Sequence, residues 1–129
     1  MPGEYLLDTS VIIPLFRGEP ALEERLDAAE RVFLSAIVLG ELHYGAEGSE
    51  RPAKQVEQIE AFATACRPLD CDAETAQFYG RVKQSLRRRG RPIPENDLWI
   101  AATALQHQLV LVTRDDHFLQ IDGLTTERW

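Results

Sequence analysis

Hydrophobic and polar positions follow two different patterns along this chain. Short apolar runs rich in β-forming residues occur at 5–7, 32–34 and 109–112, and such runs are typical of buried strands. Between them lie longer stretches in which apolar residues recur every three or four positions, as on one face of a helix. Strands that alternate with helices predict an α/β fold, with a mainly parallel central sheet flanked by helices.

The helical stretches have recognisable ends. Ser35 and Asp72 are good N-cap residues, and Gly90 is a usual residue just beyond a helix C-terminus. One helix is expected to begin near Ser10, and a final strand is expected near 123–129. The other predicted helices are 19–31, 35–47, 54–66, 72–90 and 96–108. We find no linker or repeat, so the chain is predicted to form one domain, 1–129.

Composition and charge narrow the class of protein. The chain has 129 residues, of which 44% are hydrophobic and 27% charged, and its formal net charge is −7. Glu4 stands where a signal peptide would be positive, and no apolar run approaches the ~20 residues of a membrane span. We therefore expect a cytoplasmic protein without a membrane segment. Cys66 and Cys71 have no second pair to complete a zinc site, so they are expected to be free thiols.

Four carboxylates stand in apolar surroundings, which is costly unless each has a partner, a cap or a metal. They are Asp8, Glu41, Asp97 and Asp115. Asp8 and Asp97 could instead cap helices, and Asp115 could be an ordinary turn residue. Glu41 is the hardest to explain in this way, because it falls in the middle of a predicted helix.

The fold predicts where these acids meet. Asp8 and Asp115 follow predicted strands, and Asp97 lies at the start of a predicted helix, so all three are expected beyond the carboxyl ends of the parallel strands. Acids gathered there would repel one another unless a divalent cation neutralised them. With no thiolate or imidazole expected in the cluster, the cation is predicted to be Mg²⁺ or Mn²⁺. That chemistry suits phosphodiester cleavage.

With these residues in view, the chain resembles the PIN-domain proteins, and specifically the VapC toxins of bacterial toxin–antitoxin pairs. The motifs follow the family's order and together span nearly the whole chain; they are YLLDTSVII, SAIVLGELHYG, IPENDLWIAATAL, LVLVTRDDHF and GLTTERW. The resemblance implies that Asp8, Glu41, Asp97 and Asp115 form a catalytic quartet around Mg²⁺, for which Mn²⁺ can substitute. Asp8, Asp97 and Asp115 would be the metal ligands.

The resemblance also implies a supporting hydroxyl, from Thr113 or, second, Thr9. Either Asp115 or Asp116 could be the fourth acid, and Asp115 is preferred. The implied activity is endoribonuclease cleavage that leaves a 5′-phosphate and a 3′-hydroxyl. The implied assembly is a homodimer, inhibited by a cognate antitoxin that inserts a basic side chain among the acids.

A basic segment runs toward Asp97. Six basic residues and no acid lie between 81 and 91, and Arg87, Arg88, Arg89 and Arg91 are the candidates for RNA contact. The alternative is that these cations only complete a helix C-terminus. Both explanations can hold together.

Two other features each leave two explanations open. The apolar residues of 12–26 could form a groove for an antitoxin helix or simply pack on the rest of the protein; they are Ile12, Leu15, Phe16, Leu22 and Leu26. His107 and His117 have no metal-ligand spacing between them, so no metal-binding role is expected of either.

The competing functions are other α/β phosphoryl-transfer proteins, a binding module with a decayed site, and a PIN nuclease of RNA processing that is not a toxin. A phosphatase of the haloacid dehalogenase type would need a second acid where Ser10 stands, and a receiver domain would need a lysine near the last strand, beyond Lys83.

Overall fold

A five-stranded parallel sheet forms the centre of the protein, in a computed structural model that describes residues 3–129. The spatial order of the strands is β3-β2-β1-β4-β5, and every pair of neighbours is parallel. The strands are β1 Glu4–Leu7, β2 Arg31–Ser35, β3 Arg67–Leu69, β4 Val110–Val112 and β5 Thr126–Glu127. The predicted α/β fold is confirmed, and β3 is the one strand that was not predicted. The predicted domain also includes Met1 and Pro2, which lie outside the described residues.

Helices cover the sheet and begin close to the predicted positions. They are α1 Thr9–Phe16, α2 Pro20–Ala28, α3 Ala36–Glu47, α4 Pro52–Ala65, α5 Ala73–Arg88 and α6 Glu95–His107, and a short 3₁₀ helix spans Asp116–Gln120. Because α6 begins at Glu95, Asp97 lies inside its first turn. Within 3–129 no helix is both long enough and apolar enough to cross a bilayer.

The predicted caps are confirmed. The Ser35 side chain accepts a hydrogen bond from the Val38 N–H at 3.1 Å. Asp72 caps α5 by accepting a 3.0 Å hydrogen bond from the Thr75 N–H, and the Thr75 hydroxyl accepts one from the Asp72 N–H at 3.0 Å. Gly90 follows α5 with a φ of 66°, in the left-handed region that favours glycine.

The core lies between the three central strands, β2, β1 and β4, and the helices around them. Leu6, Leu7 and Leu111 are completely buried, and so are Ile12 of α1 and, within 1%, Leu22 of α2. Simple packing is therefore the correct explanation for Ile12 and Leu22, which have no surface left to offer a partner. Leu15, Phe16 and Leu26 are only partly buried against this core.

Both edges of the sheet are short. β3 has three residues and β5 has two. Pro68, in the middle of β3, pairs with Leu34 of β2, and proline has no N–H to offer on either side of a strand. Cys66, which precedes β3, and Cys71 are both free thiols, as predicted.

Candidate active site

Asp8 and Thr113 leave the sheet side by side. Asp8 follows β1 and Thr113 follows β4, and these neighbouring strands pair Leu7 with Val112. The Asp8 N–H donates to the Val112 carbonyl at 2.9 Å, which continues the sheet by one more hydrogen bond. The Thr113 hydroxyl then donates to Asp8 Oδ2 at 2.8 Å. Parallel pairing thus brings together two side chains that are 105 positions apart.

The Asp8 carboxylate is held by hydroxyls and does not cap a helix. Asp8 is only 5% exposed, and although it occupies the N-cap position of α1, its side chain makes no capping hydrogen bond. The cap alternative is therefore wrong for this side chain. Ser10, which was not among the predicted site residues, donates its hydroxyl to the same Oδ2 at 2.7 Å and accepts the Arg114 N–H at 2.9 Å.

Asp97, Asp115 and His117 form a second group beside Asp8. His117 Nδ1 lies 3.0 Å from Asp97 Oδ2 and 3.0 Å from Asp115 Oδ1. One donor atom from each of the three residues lies within 4.8 Å of the other two. The Asp97 side chain is 13% exposed and that of His117 is 49% exposed. Asp97 does not cap α6 either, since no side-chain capping bond occurs there.

The electrostatics of Asp97 show that the three acids are close together. Burial is the largest influence and raises the pKa of Asp97 above its ordinary value. The negative charges of Asp8 and Asp115 raise this pKa further, and the hydrogen bond with His117 opposes them. The pKa of His117 is raised in turn, mainly by its hydrogen bond with Asp97. A site that disfavours its own negative charge in this way is suited to a cation.

The expectation that no imidazole would lie in the cluster is wrong. His117 is two positions beyond Asp115, at the start of the 3₁₀ helix, and its own N–H donates to Asp115 Oδ1 at 2.9 Å. This local turn folds the ring back onto Asp115. The sequence signal was therefore the spacing from Asp115 to His117, and not any spacing between histidines.

Glu41 stands apart from the other three acids. The Thr9 hydroxyl donates to Glu41 Oε1 at 2.7 Å, and Asn96 Nδ2 lies 3.4 Å from Oε2. Thr9 therefore supports Glu41, whereas Thr113 supports Asp8. Glu41 on α3 thus contacts the first turn of α6 at Asn96, but within the described residues it makes no direct contact with Asp8, Asp97 or Asp115.

The side chains of Asp115 and Asp116 lie in different environments. Asp115 is half-buried and contacts His117, and its N–H donates to Thr113 Oγ1 at 3.0 Å. Asp116 is exposed and is not part of this group of donor atoms. The geometry thus favours the preferred choice of Asp115 as the fourth acid.

Arg114 ties the turn that carries Asp115 to two other parts of the chain. Its guanidinium makes two parallel hydrogen bonds to the Glu19 carboxylate, at 3.1 and 3.2 Å, and its Nε donates to the Trp129 carbonyl at 2.9 Å. Two-point pairing of this kind fixes orientation as well as distance. The loop between α1 and α2 and the end of the chain therefore hold the acid-bearing turn in place.

The basic segment lies at the same end of the protein as the acids. α5 ends where α6 begins, and Arg91 Nη1 donates to Gln120 Oε1, in the 3₁₀ helix that starts next to Asp115, at 2.7 Å. Arg89 bonds the Gln120 carbonyl and lies 3.7 Å from an oxygen of Asp122. Arg87 and Arg88 are exposed and pair with no acid in residues 3–129. Arg89 and Arg91 thus lie beside the 3₁₀ helix that follows Asp115, while proximity of Arg87 and Arg88 to Asp97 stays a prediction.

A groove of about 310 Å³ opens between α1, α3 and α4. Ile13, Phe16, Leu42 and Ile59 supply its apolar lining, and Glu41 also lines it. Ile13 is 42% exposed, so the groove has free apolar surface. Through Glu41 and its partner Asn96 the groove borders the first turn of α6.

The donor set suits a divalent metal ion. Asp97, Asp115 and His117 offer two carboxylates and an imidazole from one small region, and Asp8 adds negative charge beside them. Carboxylates with an imidazole are compatible with Mn²⁺ and related divalent ions, and carboxylates alone with Mg²⁺. The residues present therefore fit a divalent cation.

Comparison with known proteins agrees with this geometry. The PIN domain family model matches residues 5–124. Ribonuclease VapC2 of Haemophilus influenzae (strain ATCC 51907 / DSM 11121 / KW20 / Rd) and the tRNA(fMet)-specific endonuclease VapC of Shigella flexneri are each 35% identical over 129 residues, covering 98% of both chains.

Solved structures show the same fold. A chain of the DNA-bound VapBC crystal structure from Salmonella typhimurium superposes with a TM-score of 0.93 and 32% identity, over 98% of each chain. A chain of VapBC-5 from Mycobacterium tuberculosis, a member of the VapBC family of toxin–antitoxin systems, has a TM-score of 0.77 and 30% identity, again over 98% of each chain. The chain therefore belongs to the PIN-domain family, among the VapC proteins.

Proposed function

We propose that this protein is an endoribonuclease toxin that hydrolyses RNA phosphodiester bonds and is inhibited by a cognate antitoxin. The observation that carries the proposal is the convergence of Asp8, Asp97 and Asp115 beyond the carboxyl ends of β1 and β4. Ligands of parallel α/β sheets bind at this edge. The ribonuclease and endonuclease activities of the VapC relatives support the same assignment.

The catalytic cation in this proposal is Mg²⁺, for which Mn²⁺ can substitute, and Asp8, Asp97 and Asp115 hold it. The chemistry that such a cation supplies when bound is Lewis acidity, which lowers the pKa of a water molecule and offsets charge on the phosphate. Because burial and its acidic neighbours raise the pKa of Asp97, positive charge in this pocket relieves an existing repulsion.

The surrounding side chains position the acids. The hydroxyls of Ser10 and Thr113 hold Asp8 Oδ2, which fixes the orientation of a buried carboxylate. Outer partners of this kind often matter nearly as much as the ligands themselves. Glu41, held by Thr9 on one oxygen, is the acid outside the close group, and we assign it the role of accepting a proton from the attacking water.

RNA reaches the site across the basic segment. With a net charge of −7, the protein as a whole repels a phosphate backbone. The exposed guanidiniums of Arg87 and Arg88 counter this repulsion where α5 ends beside the acids. Because the relative from Shigella flexneri is specific for tRNA(fMet), initiator transfer RNA is the first substrate to test.

The antitoxin is proposed to lie in the groove between α1, α3 and α4 and to place an arginine or lysine among the acids. The groove combines exposed apolar surface at Ile13 with the carboxylate of Glu41 in its lining. An apolar helix face followed by a basic side chain matches both features. This position differs from the surface first expected, since Ile12 and Leu22 are buried in the core.

The remaining parts of the proposal concern assembly and location. We expect the chain to act as one domain over 1–129, as a homodimer in the cytoplasm. Light scattering on the purified protein measures the dimer directly, and a monomeric mass at micromolar concentration would contradict it.

The activity is tested with purified protein and initiator transfer RNA. We expect cleavage in Mg²⁺, its loss in EDTA, and its recovery when excess Mn²⁺ is added. Asp8→Asn and Asp97→Asn should each abolish cleavage while the circular dichroism spectrum stays that of the parent. Full cleavage by both variants, or cleavage that survives EDTA, would overturn the assignment.

The antitoxin site is tested by hydrogen exchange with and without the partner. We expect slower exchange in α1 and in the groove-lining part of α4, together with the turns that carry Asp8 and Asp97. Protection confined to surfaces far from both the groove and the acids would show that inhibition works differently.

A further inference from the structure

His117 occupies an unusual position among the acids, since one ring nitrogen faces two proposed metal ligands at once. Nδ1 lies 3.0 Å from Asp97 Oδ2 and 3.0 Å from Asp115 Oδ1. The two carboxylates come from different elements, the first turn of α6 and the turn after β4. A surface side chain without a further role would not be expected to contact carboxylates from two different elements.

These separations match the edge of a coordination octahedron. Ligands at about 2.1 Å from a divalent ion such as Mg²⁺, in neighbouring octahedral positions, lie about 3.0 Å apart. Both nitrogen–oxygen separations have this value. The third donor pair also lies within 4.8 Å, so the three atoms are close enough to be gathered around a single ion.

The backbone holds the ring where it is. The His117 N–H donates to Asp115 Oδ1 at 2.9 Å, and the next residue, Phe118, is 1% exposed and anchored in the core. Asp97 is fixed independently by the first turn of α6. The ring therefore approaches both carboxylates from a firmly anchored turn, as a preorganised ligand does.

We propose that His117 Nδ1 is a direct ligand of the divalent ion, together with Asp97 and Asp115, and that it shifts the preference of the site from Mg²⁺ toward Mn²⁺. This inference rests on the proposed function and names a ligand that the acidic quartet does not include. Mg²⁺ favours hard oxygen donors and keeps several waters. An imidazole binds transition-metal ions more readily and so favours Mn²⁺.

The competing account is that His117 only donates a hydrogen bond to the two carboxylates and leaves when the ion arrives. The two accounts differ in whether nitrogen contacts the metal. Pulsed electron paramagnetic resonance answers this, because a nitrogen bound to Mn²⁺ gives a ¹⁴N coupling that a nitrogen outside the coordination sphere does not give.

The experiment uses the full chain loaded with one equivalent of Mn²⁺, without RNA. The variants are His117→Gln and a matched control, His107→Gln, which removes an exposed histidine at the other end of α6. We expect the ¹⁴N coupling in the parent and in the control, and its loss in His117→Gln. The thermal denaturation of all three proteins in EDTA reports whether each is folded.

Metal affinity gives a second readout. His117→Gln should weaken Mn²⁺ binding by about tenfold or more, at the lower end of what loss of a supporting partner costs, and the control should not weaken it. Mg²⁺ binding, measured by competition, should change less, by roughly threefold or under, because a water can replace the lost ligand.

Failure of this inference is distinguishable from failure of the proposed function. Mn²⁺ that binds the parent without ¹⁴N coupling, or with a coupling that persists in His117→Gln, would overturn the assignment of His117 and leave the acidic site standing. A parent protein that binds no Mn²⁺ at all would overturn both.

Discussion

Two carboxylates at opposite ends of the same helix pair have opposite environments. Asp72 caps α5 and accepts hydrogen bonds from Thr75 and, at 2.9 Å, from Gln106 Nε2 near the end of α6. These donors, led by the Thr75 N–H, lower the pKa of Asp72. Asp97, in the first turn of α6, is instead surrounded by burial and by other acids, and its pKa is raised.

Ionised Asp72 therefore stabilises the folded protein, whereas ionised Asp97 destabilises it. The Asp72 charge is matched by donors that belong to the chain, so folding favours it. The Asp97 charge is incompletely matched within the described residues, with only His117 opposing the repulsion. A charge that the fold itself does not favour is expected to serve a ligand.

Replacing each acid in turn tests this contrast most strongly. Asp97→Asn should lower RNA cleavage by more than about 100-fold, beyond the usual effect of losing an outer-shell partner, without lowering the melting temperature in EDTA. Asp72→Ala should leave cleavage close to that of the parent but lower the melting temperature by about 4 °C, because a helix cap is lost. Cleavage assays and thermal denaturation measure both. A large activity loss in Asp72→Ala with the fold intact would break the contrast.

The next effect concerns the hydroxyls that hold the acids. Thr113→Val removes a buried donor to Asp8 and the acceptor of the Asp115 N–H. We expect a loss of about 1–3 kcal/mol in the free energy of unfolding and roughly a 10–100-fold loss of cleavage. Denaturant titration and single-turnover cleavage are the measurements.

Thr9→Val is the matched control, because it removes only a partly exposed bond to Glu41. It should cost less stability than Thr113→Val. Equal losses of stability in the two variants would show that the burial of the Thr113 hydroxyl beside Asp8 adds nothing to its contribution to the free energy of unfolding.

The two acids should also respond differently to pH. Because folding lowers the pKa of Asp72, its contribution is present above the unfolded value of about 3.9 and is lost as the pH falls through the folded value. Because folding raises the pKa of Asp97, its ionised form is unfavourable, and stability is lost as the pH rises through the folded value.

In EDTA at pH 7, Asp72→Ala should therefore be less stable than the parent, and Asp97→Asn should be at least as stable. Both differences should shrink as the pH falls and the parent's carboxyls become protonated. Denaturant titrations between pH 7 and about pH 3 follow this convergence. An Asp97→Asn variant clearly less stable than the parent at pH 7 would contradict the sign.

The smallest effect is expected from the exposed arginines. Replacing Arg87 and Arg88 with Gln should flatten the logarithmic salt dependence of RNA binding by up to about 1.4, or 0.7 for each lost phosphate contact on a single strand. The control is to replace Arg31 and Arg67 with Gln. This removes the same charge at the amino ends of β2 and β3, at the opposite end of the strands from the acids. Equal slopes in the two double variants would mean that the basic segment is only a helix terminus.

The positions of the acids were predictable because they depend on regular structure. Asp8 and Asp115 follow strands of strong β-character, and the rule that ligands bind at the carboxyl ends of parallel strands predicts that these two acids meet. β1 and β4 do lie side by side, and Thr113 does contact Asp8. The roles of these residues in catalysis stay predictions.

Features that depend on local turns or on exact burial were not predictable. His117 reaches Asp115 at the start of the 3₁₀ helix, and Ser10 reaches Asp8 at the start of α1. Both contacts depend on local geometry at a helix start, which the period of the helix itself does not predict. The burial of Leu22 depends on how α2 docks, which its alternation of charged and apolar residues does not specify. β3 escaped prediction because Pro68 argues against a strand.

The short edges of the sheet have a consequence for assembly. An exposed strand edge is a template on which another chain can extend the sheet, and this is a common route to aggregation. Here β5 offers two residues and β3 offers three, with Pro68 in the middle. Neither edge can support a continuous intermolecular sheet. We therefore expect copies of this chain to meet through their helices, and misassembly by strand addition to be disfavoured at both edges.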